Sequence, residues 1–240
     1  MKVSVIIPAF NEERLLGGTL AQVKSAMAAL TQRGWETELI VCDNNSTDGT
    51  AEIARAAGAA VVFEPFNQIA RARNSGAAAA TGDWLIFVDA DSRPGAGLFA
   101  DVAEQIQAGR CLAGGATVRM DEKHLLAEFF TWTWNWSSRM GRWLAGSFIF
   151  VEAAVFRRVG GFNNELFAGE ELDLSKRLKR LARECGREVV ILHSHPLVTS
   201  ARKMRLYTIW DHLKLLAHVI CNRRALNRRE SCTLWYDGRR

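Results

Sequence analysis

TGDWLIFVDADSRP, residues 81–94, is the stretch of sequence that decides the fold. Its five apolar residues, 84–88, have the composition of a buried strand, and they run directly into Asp89 and Asp91. Residues i and i+2 of an extended chain project on the same face, so the two carboxylates would repel each other unless a cation lay between them. The stretch therefore predicts a buried strand that ends in a cation site.

Strands and helices alternate on both sides of this stretch. Short apolar runs typical of buried strands occur at residues 3–7, 38–43, 59–63, 84–88 and 111–120. The segments between them carry apolar residues at the three- and four-residue steps of a helix, as in Leu16, Leu20, Val23, Met27 and Leu30. This alternation predicts an α/β fold, in which a mostly parallel central sheet is flanked by helices.

The composition is that of a globular protein. The 240 residues are 48% hydrophobic and 24% charged, which is ordinary for such a chain. The five cysteines are odd in number and form no CxxC pair, which argues against a disulfide framework or a zinc site and favours a reducing compartment. No window approaches the roughly 18 apolar residues of a membrane span, and the apolar run of MKVSVIIPAF is too short for a secretion signal. We expect a cytoplasmic protein.

The positive charge is concentrated after residue 201. Residues 202–240 hold ten Lys or Arg and three acidic residues, a net charge of +7. Within them Trp210, Leu213, Leu216 and Ile220 recur on one face of a predicted helix. A basic amphipathic helix favours an anionic membrane surface, reached from the cytoplasmic side; the alternative is a helix that packs on the rest of the protein. No nucleic-acid-binding motif accompanies the charge, so we expect no nucleic-acid partner.

Polar clusters follow three of the predicted strands, namely PAFNEE at 8–13, DNNSTDGT at 43–50 and DADS at 89–92. Ligands of such sheets bind beyond the carboxyl ends of the strands, so the clusters are expected to converge. Carboxylates are the hard oxygen ligands by which Mg²⁺ or Mn²⁺ is held together with substrate phosphates. Arg71, Arg73 and Asn74 lie on one predicted helix that can reach a diphosphate, and Asp43 can accept hydrogen bonds from a nucleobase. Neither a GxGxxG nor a P-loop motif occurs.

Four segments in this order resemble the motifs of family 2 glycosyltransferases with the GT-A fold. They are VSVIIPAFNEE (3–13), VCDNNSTDGT (41–50), ARARNSGAAAATGDWLIFVDADS (70–92) and GGFNNELFAGEELDLSKRLKR (160–180). The resemblance implies an inverting transferase that moves a sugar from a nucleotide-diphospho-sugar to a hydroxyl acceptor with the help of Mn²⁺ or Mg²⁺. It covers residues 3–180. A lipid-linked acceptor would agree with the basic segment that follows.

The resemblance also implies roles for single residues. By position, the residues in the nucleotide-binding motifs are Pro8, Phe10, Asn11, Glu12, Asp43 and Arg71. Asp91 corresponds to the metal ligand, and Asp89 lies on the ribose or metal side. The metal would then be the cation that the two neighbouring aspartates require.

The acceptor motif departs from the family pattern. The family usually has Glu-Asp with the aspartate as general base, whereas this chain has Glu170 and Glu171. Glu171 matches the base by position, and Glu170 remains its competitor. His193 and His195 follow a predicted strand and are candidates for a third metal ligand, or else polar residues at a strand end. Arg202 resembles a residue that steadies the leaving diphosphate in some members.

We expect one GT-A domain over residues 1–201, with a donor half at 1–120 and an acceptor half at 121–201, followed by the basic segment 202–240. The tryptophan-rich segment 124–143 is either a helix buried on several sides or a wall of the acceptor site. Two other functions compete. A sugar-phosphate nucleotidyltransferase would carry a glycine-rich signature where this chain has PAFNEE. A non-catalytic nucleotide-sugar-binding protein would be expected to lack the metal aspartates or the late acids.

Overall fold

The computed structural model describes residues 1–121, 125–200, 225–227 and 232. The strands in this part of the chain are β1 (Lys2–Ala9), β2 (Glu36–Asp43), β3 (Ala60–Phe63), β4 (Trp84–Val88), β5 (Ser92–Arg93), β6 (Cys111–Met120), β7 (Phe148–Glu152) and β8 (Glu188–Thr199). The α-helices are α1 (Leu16–Thr31), α2 (Thr50–Ala56), α3 (Ile69–Ala79), α4 (Ala96–Ala108), α5 (Leu125–Gly141), α6 (Ala153–Arg158) and α7 (Glu170–Glu184). A 3-10 turn follows at Ala225–Asn227.

The strands form one sheet in the order β3-β2-β1-β4-β7-β6-β8-β5. Strands β1 to β4 are mutually parallel where they pair. Strand β7 is antiparallel to both of its neighbours, which leaves β6 and β8 pointing the same way as β1 and β4. The predicted α/β class with a mostly parallel sheet is confirmed. The carboxyl ends of β1, β2, β4, β6 and β8 all meet at one edge.

Helices cover both faces of the sheet. On one face α1, α2 and α4 pack against side chains such as Val5, Ile86 and Phe148. On the other face α3, α6 and α7 pack against Ile6, Leu85 and Phe87. Successive residues of β4 alternate between the two clusters, and this is why that run is apolar throughout rather than alternating with polar residues. All five residues of β4 are buried.

Helix α5 is apolar on more than one side. Its residue Trp134 packs against the core cluster of the α1 face, whereas Trp132 and Trp136 are 64% and 61% exposed. Trp143, just after the helix, carries the ammonium group of Lys179 at 3.1 Å from the ring centroid. The tryptophan-rich segment therefore divides its side chains between the core and the surface.

The predicted amphipathic helix at 210–220 lies outside the described residues. Of the basic segment 202–240, the structure describes the turn Ala225–Asn227 and Cys232, both of which lie against the rest of the protein. In the described part of the chain, no helix is long and apolar enough to cross a membrane.

Candidate active site

The loops after β1 and β2 are fastened to each other at the carboxyl edge of the sheet. The parallel register sets Ala9 beside Asp43, so both loops start at the same level. The Asn11 amide donates to Ser46 Oγ at 3.0 Å, and Asn11 Oδ1 accepts from the Thr47 amide at 2.8 Å. Asn11 has φ 52°, a left-handed conformation that asparagine tolerates better than most residues. The first two motifs thus form one rigid unit.

Five of the predicted donor-binding residues lie in this unit. Pro8 is buried within β1, and Phe10 is half-buried after it. Buried Asp43 accepts from the Ser46 amide at 3.1 Å. The Glu12 amide donates to Thr50 Oγ1 at 2.8 Å, while its carbonyl accepts from the first amides of α1. The structure therefore brings Pro8, Phe10, Asn11, Glu12 and Asp43 together at one edge.

Arg71 lies at the rim of the same edge, on α3. Asn44, next to Asp43, fixes the start of this helix by accepting from the Gln68 amide at 2.9 Å. Arg71 is half-buried, donates from Nε to Gln68 Oε1 at 3.0 Å, and has its guanidinium carbon 4.8 Å from the ring centroid of Phe66. The helix therefore holds a positive charge beside the loops that follow β1 and β2.

Arg73 does not lie where the sequence predicts it. It was expected to reach a diphosphate, but its side chain is buried and only 1% exposed. One end of its guanidinium donates to Glu170 Oε1 at 2.5 Å, and the other donates to Asp89 Oδ1 and to the Gly146 carbonyl, both at 2.9 Å. Although burial opposes its charge, the carboxylates around it, Asp89 first, raise the pKa of Arg73.

The cluster Asp89–Arg73–Glu170 joins the two predicted halves of the protein. Asp89 follows β4, in the donor half, and Glu170 begins α7, in the acceptor half. The cation that the two aspartates seemed to require is, for Asp89, a guanidinium supplied by α3. The signal available in the sequence was the excess of acids, since three acidic residues in the first turn of α7 exceed what the helix dipole can use.

Glu171 stands beside this cluster as a separate acid. A side-chain carbon placed on Gly146 would lie 3.1 Å from Arg73 Nη2 and 3.7 Å from the Glu171 carboxyl carbon, so the three residues adjoin. Burial, and after it the neighbouring Glu170 carboxylate, raise the pKa of Glu171 to about 8, against the opposing charge of Arg73. Glu170 is committed to an ion pair, whereas Glu171 is half-buried and able to accept a proton near neutral pH.

Asp89 and Asp91 flank a tight turn between β4 and β5. Ala90 between them is buried and accepts from Thr19 Oγ1 at 2.7 Å, while both aspartates are half-buried. Among the described residues, no group of three His, Cys, Asp or Glu is close enough together to hold a metal ion. Carboxylates are hard donors of the kind that bind Mn²⁺ or Mg²⁺ together with substrate phosphates and water, and the Arg73 ion pair engages Oδ1 of Asp89.

The structure does not bring His193 and His195 to the aspartate pair. Both lie in an irregular part of β8, where the pairing with β6 shifts. His195 Nδ1 is 3.0 Å from Asp101 Oδ2 on α4. Thr199, four residues further on, is the residue that pairs with Ser92, next to Asp91. At about 3.3 Å per residue of strand, this spacing disfavours the histidines as ligands of a cation at Asp91. Arg202 lies outside the described residues.

The loop between α6 and α7 is fastened to α3. Gln68 Nε2 donates to the carbonyls of Asn164 and Leu166, both at 2.8 Å. Asn74, which the sequence placed near the diphosphate, instead donates to the Phe162 carbonyl at 2.8 Å. The helix that carries Arg71 and Arg73 thus also anchors the loop that leads to Glu170 and Glu171.

Solved structures with this arrangement share the GT-A fold. A mannosyltransferase from Pyrobaculum calidifontis, in complex with GDP-Man and Mn²⁺, superposes with a TM-score of 0.68 over 97% of this chain and 69% of its own, at 20% identity. Residues 1–349 of TarS from Staphylococcus aureus, in complex with UDP-GlcNAc, give a TM-score of 0.66 over 99% and 71%, at 19% identity. Likeness at this level of identity establishes the fold, and the fold and edge site define a GT-A protein.

The family follows from the sequence match. Residues 4–154 match the family described as Glycosyl transferase family 2, more than half of the chain, and the chain therefore belongs to that family. An uncharacterized glycosyltransferase of Mycobacterium tuberculosis is 32% identical over 139 residues, 58% of this chain and 55% of the relative. The chain spans about half the length of the curated relatives that it matches. Helix α7, with both acids, lies beyond the residues of the family match.

Proposed function

We propose that the protein transfers a sugar from a nucleotide-diphospho-sugar to a hydroxyl acceptor, with inversion at the anomeric carbon. The observation that carries this proposal is Glu171, a carboxyl of raised pKa beside the Asp89–Arg73–Glu170 cluster. It lies at the sheet edge where the two nucleotide-binding loops are fastened together. A base near neutral pKa next to a donor site is what proton removal from a hydroxyl requires.

The donor would occupy the edge formed by the β1 and β2 loops. In this proposal Asp43 accepts hydrogen bonds from the base, the loop residues Pro8, Phe10, Asn11 and Glu12 line the nucleotide, and Arg71 faces the diphosphate. Asp89 and Asp91 would hold Mn²⁺ or Mg²⁺, which when bound offsets the negative charge of a leaving diphosphate. Arg202 remains a prediction as a second cation for that diphosphate.

Glu171 is proposed as the general base. Its carboxylate accepts the proton of the acceptor hydroxyl while the hydroxyl oxygen forms a bond to the anomeric carbon. The bond between that carbon and the diphosphate oxygen breaks at the same time, and a nucleoside diphosphate leaves. Glu170 keeps Arg73 charged and in place, a role that its ion pair supports better than proton transfer.

The proposed acceptor is linked to a lipid. On α5 the exposed residues Phe129, Trp132, Trp136 and Met140 follow each other at steps of three, four and four, and so form one stripe. This aromatic stripe suits the interface of a membrane, where tryptophan is enriched. The net charge of +7 in residues 202–240 would add attraction to anionic lipid.

A panel of UDP-, GDP- and dTDP-sugars with Mn²⁺ tests the proposed reaction. Release of a nucleoside diphosphate supports a transferase, pyrophosphate-dependent turnover indicates a nucleotidyltransferase, and binding without turnover indicates a binding protein. Glu171→Gln keeps the shape of the side chain but cannot take the proton. We expect this variant to bind the donor normally and to lose roughly 10²–10⁴-fold in turnover.

Sedimentation with vesicles tests the lipid surface. Binding is expected to increase with phosphatidylglycerol content and to fall with salt, because salt screens surface attraction. Trp132→Ala with Trp136→Ala should weaken it, and Ser137→Ala, exposed on the same helix beside the stripe, is the matched control. Equal behaviour of the two variants would remove the stripe from the proposal.

A further inference from the structure

The 3-10 turn Ala225–Asn227 contacts the loop that leads into α7. The carbonyl of Leu226 accepts a hydrogen bond from the Phe167 amide at 2.7 Å. The side chain of Leu226 lies over Gly169, because a side-chain carbon placed on Gly169 would be 3.4 Å from Leu226 Cδ1. Gly169 has φ 75° and immediately precedes Glu170. The contact is thus made at the residue that immediately precedes the helix that carries both acids.

Cys232 is a second described position of the basic segment near the same place. Its side chain is fully buried. Burial, and after it the charge of Glu170, raise the pKa of the Cys232 thiol to about 11. The charge of Glu170 thus acts on Cys232, and two separate positions of the basic segment, Leu226 and Cys232, lie near the start of α7.

The stretch just before α3 also contacts this loop. Gln68 binds the carbonyls of Asn164 and Leu166, and the Phe167 ring lies 6.4 Å from that of Phe66. The described contacts thus reach this loop from Gln68 and Phe66, just before α3, and from Leu226. We propose that Leu226 is a positioning residue, which holds the Phe167–Gly169 turn and thereby sets the placement of Glu171.

This proposal rests on the proposed function, and it predicts that a change at Leu226 alters the pH profile of turnover but not donor binding. The donor loops are fastened to each other and to α1, with no described contact to Leu226, so donor binding should not depend on it. Glu171 owes its raised pKa first to burial. A loosened Gly169 turn would expose Glu171 to water and lower its pKa, so the acid limb of the pH profile should move to lower pH.

The test compares Leu226→Ala with Asn227→Ala, an exposed neighbour in the same turn, and with Leu226→Met, which keeps an apolar contact. All are made in the full chain with Cys185→Ser and Cys221→Ser, so that thiol labelling reports on the buried cysteines. Two readouts need no activity: hydrogen exchange of the Phe167 amide and labelling of Cys232. In Leu226→Ala both should be roughly fivefold faster or more, as expected for a weakened hydrogen bond and local opening.

The activity readouts use a nucleotide sugar that the wild-type protein consumes. Leu226→Ala should lower kcat, leave the KM for the donor unchanged and shift the acid limb of the pH profile to lower pH. Leu226→Met should keep the wild-type kcat, KM and pH profile. Equal exchange and labelling in Leu226→Ala and Asn227→Ala would overturn the contact. Faster exchange with an unchanged kcat and pH profile would overturn the positioning role. A wild-type protein that consumes no nucleotide sugar would instead refute the proposed function, and the exchange and labelling results would still decide the contact.

Discussion

At the scale of single residues, Arg73 is the cation that balances the carboxylates of the candidate site. A buried guanidinium is stable only while its carboxylate partners are present, and the partners depend equally on it. Its Nε has no hydrogen-bond partner among the described residues, so the described hydrogen bonds of Arg73 are made by its two terminal nitrogens. Those nitrogens contact Asp89 and Glu170, which belong to different motifs.

Replacing Arg73 should therefore destabilise the protein strongly. Arg73→Met removes the charge at similar length and leaves buried Glu170 and half-buried Asp89 without it, which costs about 3–5 kcal/mol for a broken buried pair. Arg71→Met, two residues away on the same helix, removes a half-buried cation whose Nε donates to Gln68, and it should cost about 1 kcal/mol. Urea unfolding of the two variants measures the difference. Equal losses would mean that the buried cluster contributes no more than a surface contact.

The raised pKa of Glu171 predicts the pH dependence of turnover. A general base acts when deprotonated, so kcat/KM should rise with pH and level off above about 8. Glu170→Gln removes the neighbouring negative charge and should move this limb to lower pH, whereas Glu165→Gln, exposed in the preceding loop, should leave it in place. The measurement is a pH profile with each protein. A limb that does not move in Glu170→Gln would exclude Glu171 as the group observed.

The metal assignment predicts that Asp91 controls cation-dependent donor binding. Calorimetric titration of donor with and without Mn²⁺ should show a gain in affinity for the wild-type protein and none for Asp91→Ala. Asp101→Asn is the matched control, because Asp101 contacts His195 rather than the β4 turn. If Asp101→Asn abolished the gain while Asp91→Ala kept it, the cation would have to be placed near the histidine.

The sequence predicted which residue types form the site but not which arginine does what. Asp43, Asp89 and the acids of α7 were identified because strand ends and helix starts are readable from periodicity. Arg71 and Arg73 are two residues apart on a helix, and which of them faces the interior depends on how α3 sits on the sheet. That angle is set by packing with β1 and β2, which no local pattern encodes.

At the scale of elements, helix α3 lies close to the sheet at Gly76. A side-chain carbon on Gly76 would be 2.5 Å from Ile6 Cγ2 and 3.6 Å from Cys42 Cβ, closer to Ile6 than atoms can approach. Gly76 is three residues after Arg73, so it lies on the same side of the helix. The small residue thus allows the approach that lets Arg73 reach across to Asp89 and Glu170.

Gly76→Ala should push α3 away from β1. We expect a loss of about 1–3 kcal/mol in unfolding free energy, typical of overpacking, together with a loss of turnover as Arg73 leaves its partners. Gly18→Ala is the matched control, since Gly18 also lies in a helix but has open space around it, and alanine there should stabilise the helix by up to about 1 kcal/mol. Unfolding and turnover are measured for both. A stabilised Gly76→Ala would show that the helix can move without consequence.

Element positions were largely readable from the sequence, whereas strand directions were not. The predicted strands at 38–43 and 84–88 fall within β2 and on β4, since turns and apolar runs mark them. Strand β7 is an apolar run, FIFVE, but its antiparallel insertion between β4 and β6 depends on long-range pairing. The short β5 and the irregular pairing at His193–Pro196 were missed because neither has a repeating pattern.

At the scale of the whole molecule, Glu38 ties the opposite edge of the sheet together. Its carboxylate on β2 accepts from Lys2 Nζ, Ser4 Oγ on β1 and the Thr81 amide that precedes β4. Partial burial alone would raise the pKa of Glu38, but these hydrogen bonds outweigh it and lower the pKa to about 2. Three neighbouring strands of the parallel half depend on this one charge.

Acid should therefore weaken the fold through Glu38. Because its pKa is lowered in the folded state, its stabilisation is complete above the unfolded value of about 4.3 and is lost as pH falls towards 2. Glu38→Gln should cost about 1–3 kcal/mol at neutral pH, and the gap to the wild type should close between about pH 4.5 and pH 2. Unfolding at several pH values checks this, with exposed Glu36→Gln on the same strand as the control. A gap that did not change with pH would contradict the charge-based account.

The Arg73 bridge also sets a rule for recombining this protein with its relatives. The family match ends at residue 154, before α7, the helix that bears the acids. A chimera would therefore be joined between residue 154 and the start of α7. Any grafted acceptor region must bring a carboxylate to the place of Glu170, because otherwise a buried guanidinium from the parent would be left facing an empty position. A graft that meets this one condition inherits the donor edge intact. The Arg73 bridge thus decides which parts of two relatives can be combined. In a library of chimeras, the functional members should carry an acidic residue at the position of Glu170.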